Sequence, residues 1–478
     1  MGVPRRLRGY QLAAPFSLQP QQVTCYHEHS MNDHLHCVGI GGIGVSALAR
    51  LYQARGWRVS GSDLARSEIT DALRKKGIRV FIGPHRRSRV APSIARVVYT
   101  VATKSENPEL REAKRRGIPT LSYAQAVGEL THKLKTIAVA GAHGKSTTTA
   151  MIALAMVRAG LDPTVIIGTK LREFSPPVGG SNFRLGKSLY FVLEADEYRA
   201  SFLNYTPSIA VVTNIDREHL DFYKNASNIE ATFLKFLLGL KSGGTAVLNR
   251  DDHRLQRIGA KLKKKRPDLG IMWYSLRNPA ARKIRRILRI PGTHNVANAL
   301  AAYSVGRILR IPGKKIFSAL GKYSGSWRRF DYQGRLLGAK VFADYAHHPT
   351  EIIATLQAAR EKFPRSRIWC VFQPHHYERT RDLFREFTIA FDECDELVLL
   401  DIYEVAGRER SKKYRGVNSQ KLAAAISRRG KSCFYLSSPS KLKSFLSKRL
   451  RRGDILIMMG AGSIWEITKQ LMSAKRKA

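Results

Sequence analysis

Apolar positions along this chain fall in short runs, each followed by a glycine-rich or acidic turn and then by a polar helical stretch. From Leu35, "LHCVGIGGIGVSALARLYQARGWRVSGSD" reads as strand, glycine turn, helix and second strand. The run "RVVYTVA" and polar helical stretches continue this alternation to about Leu134. A second block opens at Lys135 with the apolar run Ile137 to Ala140. It continues through "LYFVLEAD" (189–196), "IAVVTNI" (209–215) and "GTAVLNRDD" (244–252). A third block starts near Trp327, with strands expected at "KVFADYA", "RIWCVFQP", "DELVLLDIY" and "DILIMMGAG". Strands that alternate with helices predict parallel sheets with sites at the carboxyl ends of the strands. The expected fold class is therefore α/β in three domains, at residues 33–134, 135–326 and 327–478, with no internal repeat. Residues 1–32 carry no strand or helix period and read as a dispensable leader, with Met31 a candidate start.

Composition narrows the class. The 478 residues suit several domains. No run of about 18 apolar residues is present, so no transmembrane helix is expected. The "RRLR" near the start precedes too short an apolar run for a signal peptide, and Arg6 breaks the myristoylation pattern after Gly2. Cys25, Cys37, Cys370, Cys394 and Cys433 show no paired spacing. That pattern suits reduced thiols in a cytoplasm better than disulfides or a zinc site.

The net charge of +45 permits contact with nucleic acid or an anionic membrane. The basic residues are spread along the chain, however, with only local runs at "KLKKKRP" (261–267) and "RKIRRILR" (282–289). No zinc finger or aromatic RNA-binding signature accompanies them, so the charge reads as a general basic character and a nucleic-acid role is disfavoured.

Chemistry concentrates at strand ends. In "GAHGKST", Gly141 and Gly144 permit tight turns, and the helix that follows offers free N–H groups to phosphate. Lys145 can reach terminal phosphates and the Ser146 hydroxyl can ligate Mg²⁺. The commoner phosphate loop has its first glycine at the position held here by Val139. "VLEADE" ends a strand with Glu194, Asp196 and Glu197, and "VVTNIDREHLDFY" ends another with Asn214, Asp216 and His219. Carboxylates and an imidazole so placed can orient a cation. "GIGGIGVSALA" fits G-x-G-x-x-G through Gly39, Gly41 and Gly44, with Asp63 at the end of the next strand where a ribose-binding acid is expected. Alone, that motif would suggest a dinucleotide dehydrogenase.

"PGTHNVANALAA" places Asn295 and Asn298 on one helical face, and "WRRFD" places Arg328 and Arg329 at a domain join. "DYAHHPTE" sets Asp344, Tyr345, His347 and His348 at a strand end, and "FQPHHYERT" adds His375, His376 and Arg379. Arg379 is suited to clamp a carboxylate.

In this order, "GIGGIG", "GAHGKSTTT", "EADE", "TNIDREHLD", "PGTHNVANA", "RRFD", "DYAHHPTE", "FQPHHYERT" and "GAG" together resemble the Mur ligases of peptidoglycan synthesis, over about residues 33 to 470. The family's loop, G-[TA]-H-G-K-[ST], needs glycine at 141 and 144 and none at 139, which accounts for Val139. The resemblance is to the branch that joins L-alanine to UDP-N-acetylmuramate at the expense of ATP, in the cytoplasm, with Mg²⁺. It implies a Rossmann-like first domain for the UDP-sugar, a central P-loop ATPase domain, and a C-terminal Rossmann-like domain for the amino acid.

The resemblance also implies roles. Gly39, Gly41, Gly42, Ile43, Gly44 and Asp63 would hold the UDP-sugar. Gly141, Ala142, His143, Gly144, Lys145, Ser146 and Thr147 would hold ATP, with Asn295, Asn298 and Asp344. Ser146, Glu194 and His219 would serve the metal. Lys145, Glu194, His219 and Arg329 would carry the phosphoryl chemistry. Tyr345, His347 and Arg379 would line the amino-acid pocket. The chain departs from the pattern at His376, where relatives often have arginine, and at Ser463, where aspartate is common. The basic segment 254–290 is short, so the central sheet is expected to lack a peripheral hairpin pair. Competing readings are a recycling ligase that attaches a peptide to UDP-N-acetylmuramate, a nucleic-acid-binding P-loop ATPase, and the dehydrogenase. "GIGGIGVSALA" argues against the first, and the phosphate loop is unexplained by the last.

Overall fold

In the computed structural model, residues 33–174, 180–404 and 416–473 are described. The expected leader and Cys25 lie outside them. Three sheets carry the chain. The first joins β1 (His34–Val38), β2 (Arg58–Asp63), β3 (Arg79–Ile82), β4 (Ile94–Tyr99) and β5 (Thr120–Ser122) in the order β3-β2-β1-β4-β5. Every pair in it is parallel.

The second sheet contains β6 (Lys135–Ala140), β7 (Thr164–Leu171), β8 (Ser181–Arg184), β9 (Tyr190–Glu194), β10 (Ile209–Val212), β11 (Thr245–Asn249) and β12 (Gly270–Tyr274). Its order is β12-β11-β10-β6-β9-β7-β8. The β6 strand therefore lies at its middle, paired parallel with β10 and β9. The third sheet orders β13 (Asp331–Leu336), β14 (Ala339–Asp344), β15 (Ile368–Phe372), β16 (Glu396–Leu400), β17 (Cys433–Leu436) and β18 (Ile455–Met459) as β13-β14-β18-β15-β16-β17.

Contacts divide the chain into two units, one of Met1–Gly168, Phe183–Asn278 and Ala299–Ala319, the other of Thr169–Asn182, Pro279–Asn298 and Leu320–Ala478. The first unit contains the whole first sheet and β6. One apolar cluster there runs from Leu35 and Leu48 to Phe191, Phe202 and Phe236. In the second unit, Phe372, Phe387 and Leu397 pack on one face of the third sheet, and Trp369, Val398 and Leu456 on the other. Covered on both faces, the inner strands are continuous apolar runs, as parallel sheets require. "ILIMM" at β18 is buried throughout.

The structure departs from the sequence reading in detail. The β13–β14 pair is antiparallel, its register broken between Tyr332 and Gly334. Its half-exposed, polar-rich strand gave no apolar run to find. The basic segment contains the helix His253–Lys265, then β12, then the helix Ala280–Ile287. Lys263, Lys264 and Lys265 fall in the last turn of their helix, where cations meet the negative end of its dipole. The thiols of Cys37, Cys370, Cys394 and Cys433 are free. No helix of the described residues is long and apolar enough to cross a membrane.

Candidate active site

Two glycine turns in the first unit each lead from a strand end into a helix that lacks a side-chain cap. The first leaves β1. Gly39 and Ile40 donate their amides to the Ser62 carbonyl at 2.8 and 3.0 Å. The Gly41 amide donates to Asp63 Oδ2 at 2.8 Å, and the Ala65 amide to its Oδ1 at 3.2 Å. Asp63 thus braces the turn through Oδ2, while its Oδ1 accepts from the segment that follows it. The helix Ile43–Ala54 starts at Gly42 with no capping side chain and no acid in its first turn, which favours an anion there.

A buried polar network underlies this turn. Ser62 Oγ donates to Glu109 at 2.5 Å, and Arg89 Nη1 donates to the same carboxylate at 3.3 Å. His36 Nε2 lies 3.1 Å from it. Burial opposes the charge on Glu109, but hydrogen bonds from His36 and Ser62 and the nearby imidazoles overcome it and hold the carboxyl at about 2.

The second turn leaves β6. Gly141 has φ +131°, and a Cβ there would come within 2.1 Å of Thr213 Oγ1, so only glycine fits. Gly144 caps the helix Lys145–Ala159 in the left-handed conformation, again with no side-chain cap and no acid in the first turn. The residues after β10 clamp the loop. Thr213 Oγ1 and Asn214 Nδ2 donate to the His143 carbonyl at 2.6 and 3.0 Å. The His143 amide donates to Asn214 Oδ1 at 2.9 Å, and its ring is 2.9 Å from Asp216.

Lysine and acids distinguish this second turn. Lys145 Nζ donates to the carbonyls of Gly141 and Ala142 at 2.7 and 3.1 Å and to Glu197 Oε1 at 2.9 Å. Burial disfavours its charge, but the carboxylates of Glu197, Asp196 and Glu194 outweigh that and raise its pKa. Burial pushes Glu197 up to about 7 against the pull of Lys145. Ser146 Oγ donates to Glu194 Oε1 at 2.9 Å, and the Gly168 amide donates to Oε2 at 2.8 Å.

His219 Nε2 is 3.7 Å from Glu197, and its ring lies 4.8 Å from that of Tyr198. Asp196, Glu197 and His219 offer ligand atoms all within 4.8 Å of one another. Glu197 Oε2 is buried with no hydrogen-bond partner. A hard cation would satisfy it, so this donor set fits a divalent metal. Arg199, Ala200 and His219 all have positive φ, so strain collects on the loops that carry these donors.

The second unit holds another cluster. Asp344 ends β14 at 5% exposure. It accepts the Phe330 amide at 2.7 Å and the Ala346 amide at 2.8 Å, one on each oxygen. Burial raises its pKa against the pull of Arg329 and these amides. Of the adjacent arginines, Arg328 is buried and donates to the Gly460 carbonyl at 2.7 Å, with its guanidinium 4.7 Å from the Tyr345 ring centre. Arg329 is more open, 5.2 Å from the same ring and 3.7 Å from Glu351. Glu351 also lies 3.2 Å from His347 Nδ1.

The His347 and His375 rings are 6.0 Å apart, and His375 stacks on Tyr403 at 5.6 Å. Arg379 Nη1 donates to the His375 carbonyl at 3.1 Å. Tyr345, His347 and Arg379 thus reach one another through His375. His376 has φ +73° and meets His375 edge-on at 4.3 Å. Ser463 Oγ pairs with Gln373 at 3.1 Å. Asn295 and Asn298 are buried neighbours, Nδ2 of the second 3.4 Å from Oδ1 of the first, while Asn295 donates to the Pro291 carbonyl at 2.6 Å.

The sequence reading passed over several residues that the structure makes prominent. Thr213 holds the loop carbonyl, Glu351 joins His347 to Arg329, and Tyr403 stacks on His375. Glu197 was named as a strand-end acid, but its pairing with the loop lysine was not.

Comparison with known proteins gives three consecutive family matches. They are the Mur ligase family catalytic domain over residues 34–134, the Mur ligase middle domain over 139–306, and the Mur ligase glutamate ligase domain over 328–462. The chain is 40% identical over 467 residues to the UDP-N-acetylmuramate–L-alanine ligase of Desulfosudis oleivorans, covering 93% of this chain and 99% of that protein. It is 39% identical over 464 residues to the ligase of the same name from Acetivibrio thermocellus, covering 93% and 96%. Two solved structures share the fold. The UDP-N-acetylmuramate-alanine ligase of Thermotoga maritima matches with a TM-score of 0.76 at 24% identity, covering 93% of this chain and 99% of that one. A murein peptide ligase of Psychrobacter arcticus matches with a TM-score of 0.67 at 24% identity over the same shares.

Proposed function

The chain belongs to the Mur ligase family, and from that premise we propose that it joins L-alanine to UDP-N-acetylmuramate with cleavage of ATP to ADP and phosphate, in the cytoplasmic synthesis of peptidoglycan precursors. The observation that carries this reading is near-full-length identity of about 40% to ligases of that name. Residues 33–134 would form the UDP-sugar domain, 135–326 the ATP domain and 327–478 the amino-acid domain. A recycling ligase shares the fold, but the similarity there reaches the fold alone.

The substrate's lactyl carboxylate attacks the γ-phosphate of ATP, and the amine of L-alanine then displaces phosphate from the acyl phosphate to form the amide. Phosphoryl transfer needs mainly positioning and charge neutralisation. The uncapped turn at Gly141–Gly144 holds the phosphates, and Lys145 leaves its own loop carbonyls to neutralise the terminal ones. Ser146, Glu194, Asp196, Glu197 and His219 would hold Mg²⁺, whose charge offsets that developing on the phosphate oxygens. Arg329 would meet the γ-phosphate, Asn295 and Asn298 would border the nucleotide, and Asp344 would shape the loop on its ribose side. Tyr345, His347 and Arg379 would take the amino acid, with the Arg379 fork on its carboxylate. The first turn would hold the diphosphate of the UDP-sugar.

The test is phosphate release with ATP and Mg²⁺, scanning UDP-N-acetylmuramate against the common amino acids and a tripeptide. Release should require both the UDP-sugar and an amino acid, with L-alanine preferred. Release from UDP-N-acetylmuramate that the tripeptide supports and no single amino acid does would establish the recycling ligase, and NAD(P)H oxidation without ATP the dehydrogenase.

A further inference from the structure

Two side chains just beyond β10 fix the peptide plane between His143 and Gly144. Its carbonyl oxygen accepts Thr213 Oγ1 at 2.6 Å and Asn214 Nδ2 at 3.0 Å. Two donors on one oxygen turn that carbonyl toward β10. In a trans peptide the C=O and N–H point opposite ways, so the Gly144 N–H is turned away from β10. It donates to no described residue. The two amides before it are already taken. Ala142 donates to the Asn214 backbone carbonyl at 3.1 Å, and His143 to Asn214 Oδ1 at 2.9 Å.

This clamp is itself anchored. The Thr213 carbonyl accepts Asn249 Nδ2 at 3.1 Å and the Tyr274 hydroxyl at 3.3 Å, from the ends of β11 and β12. The Ile215 amide donates to Asp252 Oδ2 at 2.8 Å. Residues 213 to 215 are therefore tied to the sheet and hold the loop against it. Gly144, at φ +82°, has the freedom to let the same peptide turn over. A flipped plane would put the His143 oxygen where the Gly144 N–H now stands, and an oxygen there repels phosphate.

We propose that Thr213 and Asn214 are positioning residues for phosphoryl transfer: their grip on the His143 carbonyl aims the Gly144 N–H at the phosphates of ATP. The proposal rests on the ATP reading of this loop. Nothing in "GAHGKST" marks either residue, since both stand after a different strand, in "VVTNID".

Thr213→Val and Asn214→Ala each remove one of the two donors, and neither adds a charge. Calorimetry on the full chain should show ADP binding weakened about tenfold in each, as for loss of one hydrogen bond that sets a charged contact. The KM for ATP should rise by the same factor, and the KM for UDP-N-acetylmuramate should stay at its wild-type value. A clamp that served only the fold would lower the melting temperature and leave the ADP affinity of the folded protein unchanged. That result in either variant would overturn the proposal, and so would an equal loss for ADP and the UDP-sugar. Failure of the unsubstituted protein to bind ADP would instead overturn the ATP reading of the loop, and this proposal with it.

Discussion

The two glycine turns of the first unit share one backbone device and differ in what surrounds it. Each follows a parallel strand and opens an uncapped helix without acids in its first turn. Around the first, Asp63 and the Ser62 carbonyl are taken up by turn amides, and no lysine stands in the loop. Around the second, Lys145 lies among Glu194, Asp196 and Glu197, with His219 beside them. The backbone alone suffices to hold a phosphate. Moving one also requires a mobile cation and acids that can gather metal, and only the second turn has them. On the function proposed above, that difference separates a nucleotide held as a handle from one that reacts.

Removing the lysine is the strongest way to break this contrast. Lys145→Ala should lower kcat roughly a thousandfold, as for loss of a group aimed at developing charge, while calorimetric affinity for UDP-N-acetylmuramate stays near wild type. The variant should also be less stable to heat, because Glu197 loses its buried partner. Near-normal turnover would remove the second turn from the chemistry.

Gly141→Ala comes next. With φ at +131° and Thr213 Oγ1 in the way, the loop must shift. A displacement of that kind should reduce kcat/KM for ATP by roughly a hundredfold. Kinetics with ATP and UDP-sugar varied separately should leave the KM of the latter unaltered.

A control from outside both turns is Arg379→Lys. Replacing a two-pronged fork by a point charge should raise the KM for L-alanine by about thirtyfold and leave both nucleotide constants in place. Equal effects on all three would take Arg379 out of the amino-acid pocket.

The smallest effect sharpens the first turn. Asp63→Ala leaves the Gly41 amide without its acceptor and should raise the KM for the UDP-sugar about tenfold, with ATP kinetics unmoved. Gly44→Ala should do the same, because a Cβ there would meet the Tyr123 ring at 2.8 Å and the helix start must shift. A loss confined to ATP in either variant would dissolve the distinction between the turns.

Much of this was legible in the sequence because glycine, lysine and strand-end acids keep fixed spacings. The strand–turn–helix reading at Gly39–Gly44 and Gly141–Lys145 held, and so did the strands of the third block named from their apolar runs. Choices among adjacent like residues were harder. Nothing in "RRFD" says that Arg328 turns inward to Gly460 while Arg329 stays open, since that follows from the positive φ of Arg328 and Phe330. "EADE" does not say which acid will pair with Lys145. The motif's spacing describes where the Asp63 backbone lies, at a strand end, and does not say that its carboxylate accepts the Gly41 and Ala65 amides. The edge strand β13 escaped notice because an antiparallel edge needs no apolar run.

Isotope transfer tests the central claim most directly. UDP-N-acetylmuramate carrying ¹⁸O in both oxygens of the lactyl carboxylate would be turned over with unlabelled ATP and L-alanine. If the second turn moves the γ-phosphate onto that carboxylate, each released phosphate gains one labelled oxygen and each new amide keeps the other. Release of wholly unlabelled phosphate, in step with amide formation, would contradict the account.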